Sequence, residues 1–210
     1  MRETTNGYHQ IPSPGAGTNG LAWRGTSLWS VEGVGPIHEI DPETGEALLT
    51  LTPPYPGGAG LEWAGEHLWY NSIWQQTFYK LTIPDLEVVT TFSSPAEGPH
   101  GLAWDGEHLW SVDMNTGRFI KQCPETGEIL AELQTPGGRA HGLAWDGEAL
   151  WNADTNDHVL YRIHPESGEV IDSVSCPTEP HGLTWDGTAL WYGEDKAQTI
   201  YRLNISERNS

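Results

Sequence analysis

His100-Gly-Leu-Ala-Trp-Asp-Gly106 is one of five versions of the same stretch in this chain of 210 residues. Close copies lie at 141–147 and 181–187, and weaker copies lie at 19–25 and 59–65. The glycine in the second position falls at 20, 60, 101, 142 and 182, so the spacing is 40 or 41 residues. A fixed period of this length is typical of stacked or radially arranged supersecondary units.

Each repeat predicts four short antiparallel strands. Gly-Leu-x-Trp predicts the first strand, and Asp-Gly, as at 105–106, predicts a tight hairpin turn. Leu-Trp at 109–110 opens the second strand, the alternating stretch 159–163 is typical of the third, and the turn at 124–127 leads to the fourth. Four strands per 40 residues is the pattern of a propeller blade. We therefore predict an all-β protein with the fold of a five-bladed β-propeller; a solenoid would share the period, but antiparallel hairpins favour radial packing.

The repeats account for nearly the whole chain, so we predict a single domain over residues 1–210. The predicted blades cover about 19–58, 59–99, 100–140, 141–180 and 181–204. The last repeat stops after its third strand, and residues 4–14 resemble the missing fourth strand. We expect this N-terminal strand to complete the last blade and close the ring, which leaves only short outer edges.

The charge of the chain is strongly negative, with 29 acidic and 10 basic residues and a net charge of −19. This argues against nucleic acids and anionic membranes as partners, because both require positive surface. The sequence has no secretory leader after Met1 and no apolar run of the roughly 20 residues that a membrane span needs. We expect a soluble monomer that acts on a small molecule, cytoplasmic if the N-terminus is native. Cys123 and Cys176 occupy different repeat positions, so we expect neither a disulfide framework nor a zinc knuckle.

The position before the Gly-Leu pair is histidine in the last three repeats. Across the five repeats, this histidine column consists of Asn19, Ala59, His100, His141 and His181. The first strand of each blade lines the channel of a propeller, so this column should lie at one rim and direct three imidazoles towards one axis. Three histidines with an open position form a known arrangement for a catalytic divalent metal. Zinc suits three neutral imidazoles best, and copper, iron, manganese and nickel remain open. A purely structural ring of histidines and a metal-free ligand site are the alternatives.

A second column lies thirteen residues further on and is mostly acidic. It consists of Glu32, Ser72, Asp113, Asp154 and Glu194. The end of the second strand shares a face with the start of the first, so we expect these four carboxylates around the histidines. They are candidates for general bases or for orienting the imidazoles. Acidic residues at strand ends are also common in turns, and that alternative stays open.

Three further residues are candidates for contact with a substrate. Asn19 shares the histidine column, Ser72 leaves one side of the rim uncharged, and Trp74 is the only tryptophan outside the repeat pattern. Other histidines, including His38, His67 and His164, fall on strands or turns where we expect surface positions. The sequence contains no nucleophile elbow, phosphate loop or dinucleotide fingerprint.

The pattern Gly-Leu-x-Trp-Asp-Gly-x-x-Leu-Trp, with Asp41-Pro-Glu-Thr-Gly-Glu46, resembles propellers of the streptogramin B lyase-like and plant-type glutaminyl cyclotransferase-like group. In the cyclotransferases, a Leu-Tyr-Glu-Ser-Thr-Gly strand carries the catalytic glutamate. Here the matching stretch is Leu28-Trp-Ser-Val-Glu-Gly33, with its acid, Glu32, displaced by two positions. The resemblance to the lyase-like family implies histidine and glutamate around a divalent metal at the propeller mouth, although that family has more blades.

These observations lead to a functional hypothesis with two alternatives. We expect a metal-dependent hydrolase of a small ester, lactone or phosphoester, with the three histidines as ligands. A metal-dependent lyase of the streptogramin lyase type would use the same residues. A non-catalytic propeller that binds a ligand or a protein is the alternative from a different functional class.

Overall fold

The computed structural model describes residues 8–15, 17–194, 196 and 198–205. Its regular structure consists of five sheets, each with four antiparallel strands. The predicted five-bladed β-propeller is therefore confirmed. In these ranges, no helix is long and apolar enough to cross a membrane.

The strands follow the repeats closely. The first strand in the chain, β1 (Tyr8–Pro12), belongs to the last blade. Blade 1 contains β2 (Gly20–Arg24), β3 (Ser27–Val31), β4 (Ile37–Ile40) and β5 (Ala47–Leu51). Blade 2 contains β6 (Gly58–Ala64), β7 (His67–Ser72), β8 (Thr77–Leu81) and β9 (Val88–Ser93). Blade 3 contains β10 (Pro99–Trp104), β11 (Leu109–Asp113), β12 (Arg118–Gln122) and β13 (Ile129–Gln134). Blade 4 contains β14 (Ala140–Trp145), β15 (Leu150–Asp154), β16 (Val159–Ile163) and β17 (Val170–Ser175). Blade 5 contains β18 (Pro180–Trp185), β19 (Ala189–Glu194), β20 (Thr199–Asn204) and β1.

The first strands of the five blades stand next to one another around the central axis. The repeat glycines make this close approach feasible. A Cβ atom added at Gly101 would overlap the carbonyl group of His141, and one added at Gly142 would overlap that of His181. The invariant glycine of each repeat is thus explained by a narrow channel in which neighbouring backbones touch.

Side chains from adjacent blades share the hydrophobic core. Trp29 of blade 1 and Trp63 of blade 2 meet edge to face, with ring centroids 5.2 Å apart. Trp23 of blade 1 stacks on Trp191 of blade 5 at 5.9 Å. Aromatic pairs of this kind contribute beyond the burial of their area, by about 0.5–1.5 kcal/mol each. The tryptophans therefore join blade to blade around the ring.

Strand β1 closes the ring as the sequence predicted. It pairs antiparallel with β20, with Tyr8 opposite Leu203 and Pro12 opposite Thr199. The predicted closing segment began at residue 4, and residues 4–7 lie outside the described residues. The first and last strands of the chain, β1 and β20, therefore belong to the same sheet.

Local irregularities shape the start of four first strands. The pairing between first and second strands shifts register between Pro99 and Leu102, and at the equivalent places in blades 2, 4 and 5. In blade 1 the pairing is regular. The bulge in blades 3, 4 and 5 contains the histidine and the glycine of the repeat, so it changes how the histidine leaves the strand.

Candidate functional site at the channel mouth

The three histidines of the rim column lie together. His100, His141 and His181 are the second residues of β10, β14 and β18, and their exposed fractions are 4%, 1% and 8%. The ring centroids are 4.6 Å apart for His100 and His141, 5.5 Å for His100 and His181, and 4.2 Å for His141 and His181. Radial symmetry thus brings three imidazoles from adjacent blades into contact.

The spacing of the rings is close to what a shared ion requires, but their orientation is not that of a formed site. Three imidazoles bound to one tetrahedral ion at about 2.0–2.1 Å would have ring centroids about 5 Å apart. The planes of His141 and His181 lie at 30° to each other, and both are nearly perpendicular to the plane of His100. Among the described residues, no group of three or more His, Cys, Asp or Glu side chains is arranged to hold a metal.

Burial keeps two of these histidines neutral. It lowers the pKa of His100 to about 3, with further contributions from His181 and Arg139. It lowers the pKa of His141 to about 2, again helped by the neighbouring histidines and Arg139. A neutral imidazole has a free lone pair, which is the form that binds a metal ion.

The hydrogen bonds of the rings differ between blades. Nδ1 of His141 lies 2.6 Å from Oγ1 of Thr155, whose hydroxyl donates to the carbonyl oxygen of Pro180 at 2.9 Å. Nδ1 of His100 is buried and has no hydrogen-bond partner among the described residues. A buried polar atom without a partner costs about 1–3 kcal/mol, so the cluster is not explained by stability alone.

The two aspartates of the acidic column hold loops. Asp113 is fully buried and accepts hydrogen bonds from the amide of Gly98 at 3.1 Å and the hydroxyl of Thr116 at 2.6 Å. Burial alone would raise the pKa of Asp113, but its hydrogen bonds outweigh burial and lower it. Asp154 is also fully buried and accepts from the amides of Arg139 and Asp157. Catalysis by either aspartate stays a prediction, and these contacts favour the alternative of a turn-forming role.

The two glutamates of the column reach a neighbouring strand instead. Glu194 accepts a hydrogen bond from the hydroxyl of Tyr201 at 3.4 Å. Oε1 of Glu32 lies 3.4 Å from Nε2 of His38, and Nδ1 of His38 lies 3.0 Å from Oγ1 of Thr50. The expectation that His38 is a surface residue was wrong, because only 7% of it is exposed. The longer side chain of glutamate explains why it reaches the third strand, whereas aspartate bonds its own loop and the loop before the first strand.

A hollow of about 270 Å³ opens at the mouth beside blades 1 and 2, and it contains three of the predicted site residues. Asn19, Glu32 and Trp74 line it, together with Gly17, Gly33, Val34, Gly57 and Ile73. Trp74 is 59% exposed, so one side of its indole is available to a ligand. Ser72 is fully buried, donates to the carbonyl oxygen of Pro56 and is absent from this lining. Its contact with a substrate stays a prediction.

The carboxylate of Glu32 is packed closely by backbone. Gly15 and Gly35 both lie so near it that a Cβ atom on either would overlap the carboxylate. These two glycines hold the carboxylate of Glu32 in the wall of the hollow, and the volume of about 270 Å³ leaves room for a small ligand. Glu32 is therefore the carboxylate of the column best placed to transfer a proton to or from a ligand in the hollow.

Sequence reasoning missed two residues that contact the site, Thr155 and His38. Both were visible as exceptions to the repeat. The position of Thr155 is Ile73 in blade 2 and Met114 in blade 3. His38 faces the second strand where blades 2, 4 and 5 have Tyr79, Tyr161 and Tyr201. A polar side chain where other repeats carry larger or apolar ones was the available signal.

No family model matches this chain, and no curated protein matches it in sequence. Solved structures match its fold. Glutaminyl cyclase from Myxococcus xanthus is similar with a TM-score of 0.78 and 14% identity, over 93% of this chain and 94% of that one. Virginiamycin B lyase from Staphylococcus aureus is similar with a TM-score of 0.57 and 22% identity, over 92% of this chain and 68% of that one.

A streptogramin B lyase is also similar, with a TM-score of 0.58, 14% identity and coverage of 94% and 97%. The resemblance to this group of propellers, noted in the repeat sequence, is thus confirmed as a likeness of fold. Identities this low carry the architecture and leave the activity to be argued from the site.

Proposed function

We propose that this protein is an enzyme whose active site lies at the channel mouth. A divalent metal ion is held by His100, His141 and His181, and a small ester, lactone or phosphoester binds in the hollow beside blades 1 and 2. One observation carries the proposal: three buried imidazoles from adjacent blades lie with ring centroids 4.2–5.5 Å apart. The low pKa values of His100 and His141 support it, because both rings are ready to bind a cation at neutral pH.

The metal ion and three residues of the hollow have defined roles in this proposal. When bound, the metal ion would polarise the oxygen of a carbonyl or phosphoryl group, and zinc suits the imidazole ligands best. Glu32 is the general base, because its carboxylate forms part of the wall of the hollow. Trp74 offers an apolar face for the body of the substrate, and Asn19 offers its amide oxygen, since its amide nitrogen donates to the carbonyl oxygen of Gly58 at 3.1 Å.

Two reaction classes fit the same arrangement. If Glu32 accepts a proton from water, the ester is hydrolysed. If Glu32 accepts a proton from the carbon β to the ester oxygen, on the alcohol side, a C=C bond forms as the C–O bond breaks, and the carboxylate leaves. The likeness of fold to a virginiamycin B lyase and to a streptogramin B lyase supports the second reaction. The mass of the product separates the two, because hydrolysis adds one water and elimination adds none.

Metal binding is the first test. The metal-free protein is titrated with Zn²⁺, and separately with Mn²⁺ and Ni²⁺, in competition with a chromophoric chelator. We expect about one equivalent of Zn²⁺ per chain, lost in His141→Ala and kept in His67→Ala, a histidine substitution at the first hairpin turn of blade 2. Wild-type protein that binds none of these ions at micromolar concentration would contradict the metal site.

Turnover is the second test. Activated esters, lactones, cyclic depsipeptides and phosphodiesters are incubated with Zn²⁺-loaded protein, with and without a chelator, and the products are weighed by mass spectrometry. We expect turnover that the chelator abolishes and that Glu32→Gln lowers at least 100-fold. Ligand binding without any turnover would favour the non-catalytic propeller instead.

A second function is favoured by the match to glutaminyl cyclase over nearly the whole length of both chains. In that case Glu32 would transfer protons during cyclisation of an N-terminal glutaminyl residue, with loss of ammonia and without a metal. Peptides with N-terminal glutamine and a coupled ammonia assay test it. Ammonia release that a chelator leaves unchanged and Glu32→Gln abolishes would favour this function over the metal-dependent one.

A further inference from the structure

Thr155 connects two of the histidine-bearing strands. It follows β15 directly, is buried, and donates its hydroxyl proton to the carbonyl oxygen of Pro180, the residue before His181. Its oxygen lies 2.6 Å from Nδ1 of His141. One side chain therefore contacts the histidine of blade 4 and the backbone that presents the histidine of blade 5.

The direction of these hydrogen bonds fixes the tautomer of His141. A carbonyl oxygen only accepts, so the single hydroxyl proton of Thr155 is committed to Pro180. The oxygen of Thr155 is then left to accept a hydrogen bond from His141, which requires the proton of the neutral ring on Nδ1. In a neutral imidazole the other nitrogen, Nε2, carries the lone pair.

Blade 3 lacks this device. The residue equivalent to Thr155 is Met114, as the matching backbone bonds show: Thr155 donates its amide to Arg139 and Met114 donates its amide to Gly98. The thioether of methionine has no proton to donate, so it cannot bond a histidine and a carbonyl oxygen at the same time as the hydroxyl does. Consistently, Nδ1 of His100 has no partner among the described residues.

We propose that Thr155 is a positioning residue of the metal site: it holds the proton of His141 on Nδ1 and so keeps Nε2 free to bind the ion. This inference rests on the proposed function. Hydrogen bonds to the second nitrogen of a ligating histidine fix its tautomer and orientation, and removing them typically weakens metal binding 10–100-fold.

Two measurements test the role of Thr155, and one of them needs no metal. Long-range ¹H–¹⁵N correlation spectra of the metal-free protein at neutral pH report the tautomer of His141. We expect the Nδ1–H form in the wild type and in Thr155→Ser, and loss of that preference in Thr155→Val. A wild-type ring in the Nε2–H form would overturn the inference, whatever the protein does with metal ions.

The second measurement is the dissociation constant for Zn²⁺ in the same three proteins. We expect it to rise 10–100-fold in Thr155→Val and to stay within about threefold of wild type in Thr155→Ser. Thr184→Val is the control, because Thr184 is a buried threonine on β18 whose equivalents in blades 3 and 4 are alanines. Circular dichroism verifies that all variants are folded.

The outcomes separate the two proposals. If the wild type binds Zn²⁺ and Thr155→Val binds it equally well, the positioning role is wrong and the metal site stands. If the wild type binds no Zn²⁺, the metal site itself is wrong, and Thr155 is left with only the structural hydrogen bonds that the spectra report.

Discussion

One position of the repeat is acidic and partly buried in a single blade. The third position of Gly-Leu-x-Trp is alanine in blades 1, 3 and 4 and threonine in blade 5, all buried, but it is Glu62 in blade 2. Oε1 of Glu62 accepts a hydrogen bond from the amide of Trp63 at 2.9 Å. Burial raises the pKa of Glu62 to about 8, and the bond from Trp63 only partly offsets this.

Glu62→Gln should change how stability depends on pH. Between about pH 4.5 and 8, the folded protein holds a proton on Glu62, whereas the unfolded chain releases it. The free energy of unfolding of the wild type is therefore highest, as far as Glu62 is concerned, below pH 4.5, and it falls as the pH rises to 8. We expect the variant to match wild type at pH 5 and to exceed it by about 2 kcal/mol at pH 9, a reduced figure because the side chain keeps some exposure. Urea unfolding at both pH values measures this. A difference that does not vary with pH would contradict it.

The histidine column could be predicted from the sequence, but its neighbours could not. A residue at the start of the first strand must lie at the rim, so the meeting of His100, His141 and His181 follows from the period alone. The hydroxyl of Thr155 and the ring of His38 reach the site from a loop and from a third strand, and their directions depend on packing between strands. The split between Asp113, which holds a loop, and Glu32, which faces the hollow, likewise depends on side-chain length in three dimensions.

Within each of blades 3, 4 and 5, a brace of three side chains joins the first hairpin to the third strand. In blade 4 the carboxylate of Asp146 accepts from the indole nitrogen of Trp151 at 2.8 Å and from Arg162 at 2.6 Å. Asp105 with Trp110 and Lys121, and Asp186 with Trp191 and Arg202, repeat the arrangement. The aspartate of the Asp-Gly pair was predicted only as a turn residue, and it also satisfies a buried indole.

Blade 2 lacks the brace, which provides a stabilising substitution. The aspartate is replaced by Ala64, the indole nitrogen of Trp69 has no partner among the described residues, and Lys80 lies over its ring at 5.9 Å. We expect Ala64→Asp to raise the free energy of unfolding by about 1–2 kcal/mol, because it satisfies a buried donor with a charged acceptor. Asp146→Ala is the matched control and should lower it by about 2–3 kcal/mol. Chemical denaturation measures both, and a destabilised Ala64→Asp variant would show that the turn of blade 2 cannot hold the brace.

The closing strand β1 should contribute strongly to stability. The ring of Tyr8 packs edge-on against Tyr192 and Tyr201, each at 6.3 Å, and its hydroxyl donates to the carbonyl oxygen of Ser175 in blade 4. We expect Tyr8→Ala to cost about 3–5 kcal/mol, as for other buried aromatic residues, and Tyr8→Phe to cost about 1 kcal/mol for the lost hydrogen bond. Thermal unfolding distinguishes the two variants. A cost below 1 kcal/mol for Tyr8→Ala would mean that the ring stays closed without this side chain.

Across the whole ring, the fold was predictable because every level of the sequence agrees on it. The period, the Asp-Gly turns and the alternating third strands all specify the same four-stranded unit, and local agreement of this kind is typical of sequences with one stable fold. The bulges before Leu102 and its equivalents were not predictable. The repeat glycine does not signal them, because Gly20 of blade 1 meets the backbone of the next blade as Gly101 does, yet blade 1 pairs regularly.

The net charge of the molecule should make its stability depend on salt. With 29 acidic and 10 basic residues, we expect repulsion between carboxylates to exceed the attraction in ion pairs such as Arg162–Asp146 and Lys196–Glu179. Raising NaCl from 0.01 M to 0.3 M shortens the screening length from about 30 Å to under 8 Å, which weakens long-range repulsion more than close pairs. We expect the midpoint of thermal unfolding to rise by about 3–6 °C, equivalent to about 1–2 kcal/mol at this chain length. The scan is run with a chelator present, so that trace metal does not contribute, and is repeated in choline chloride to exclude specific binding of sodium. A midpoint that falls with salt would show that the close ion pairs outweigh the repulsion across the ring.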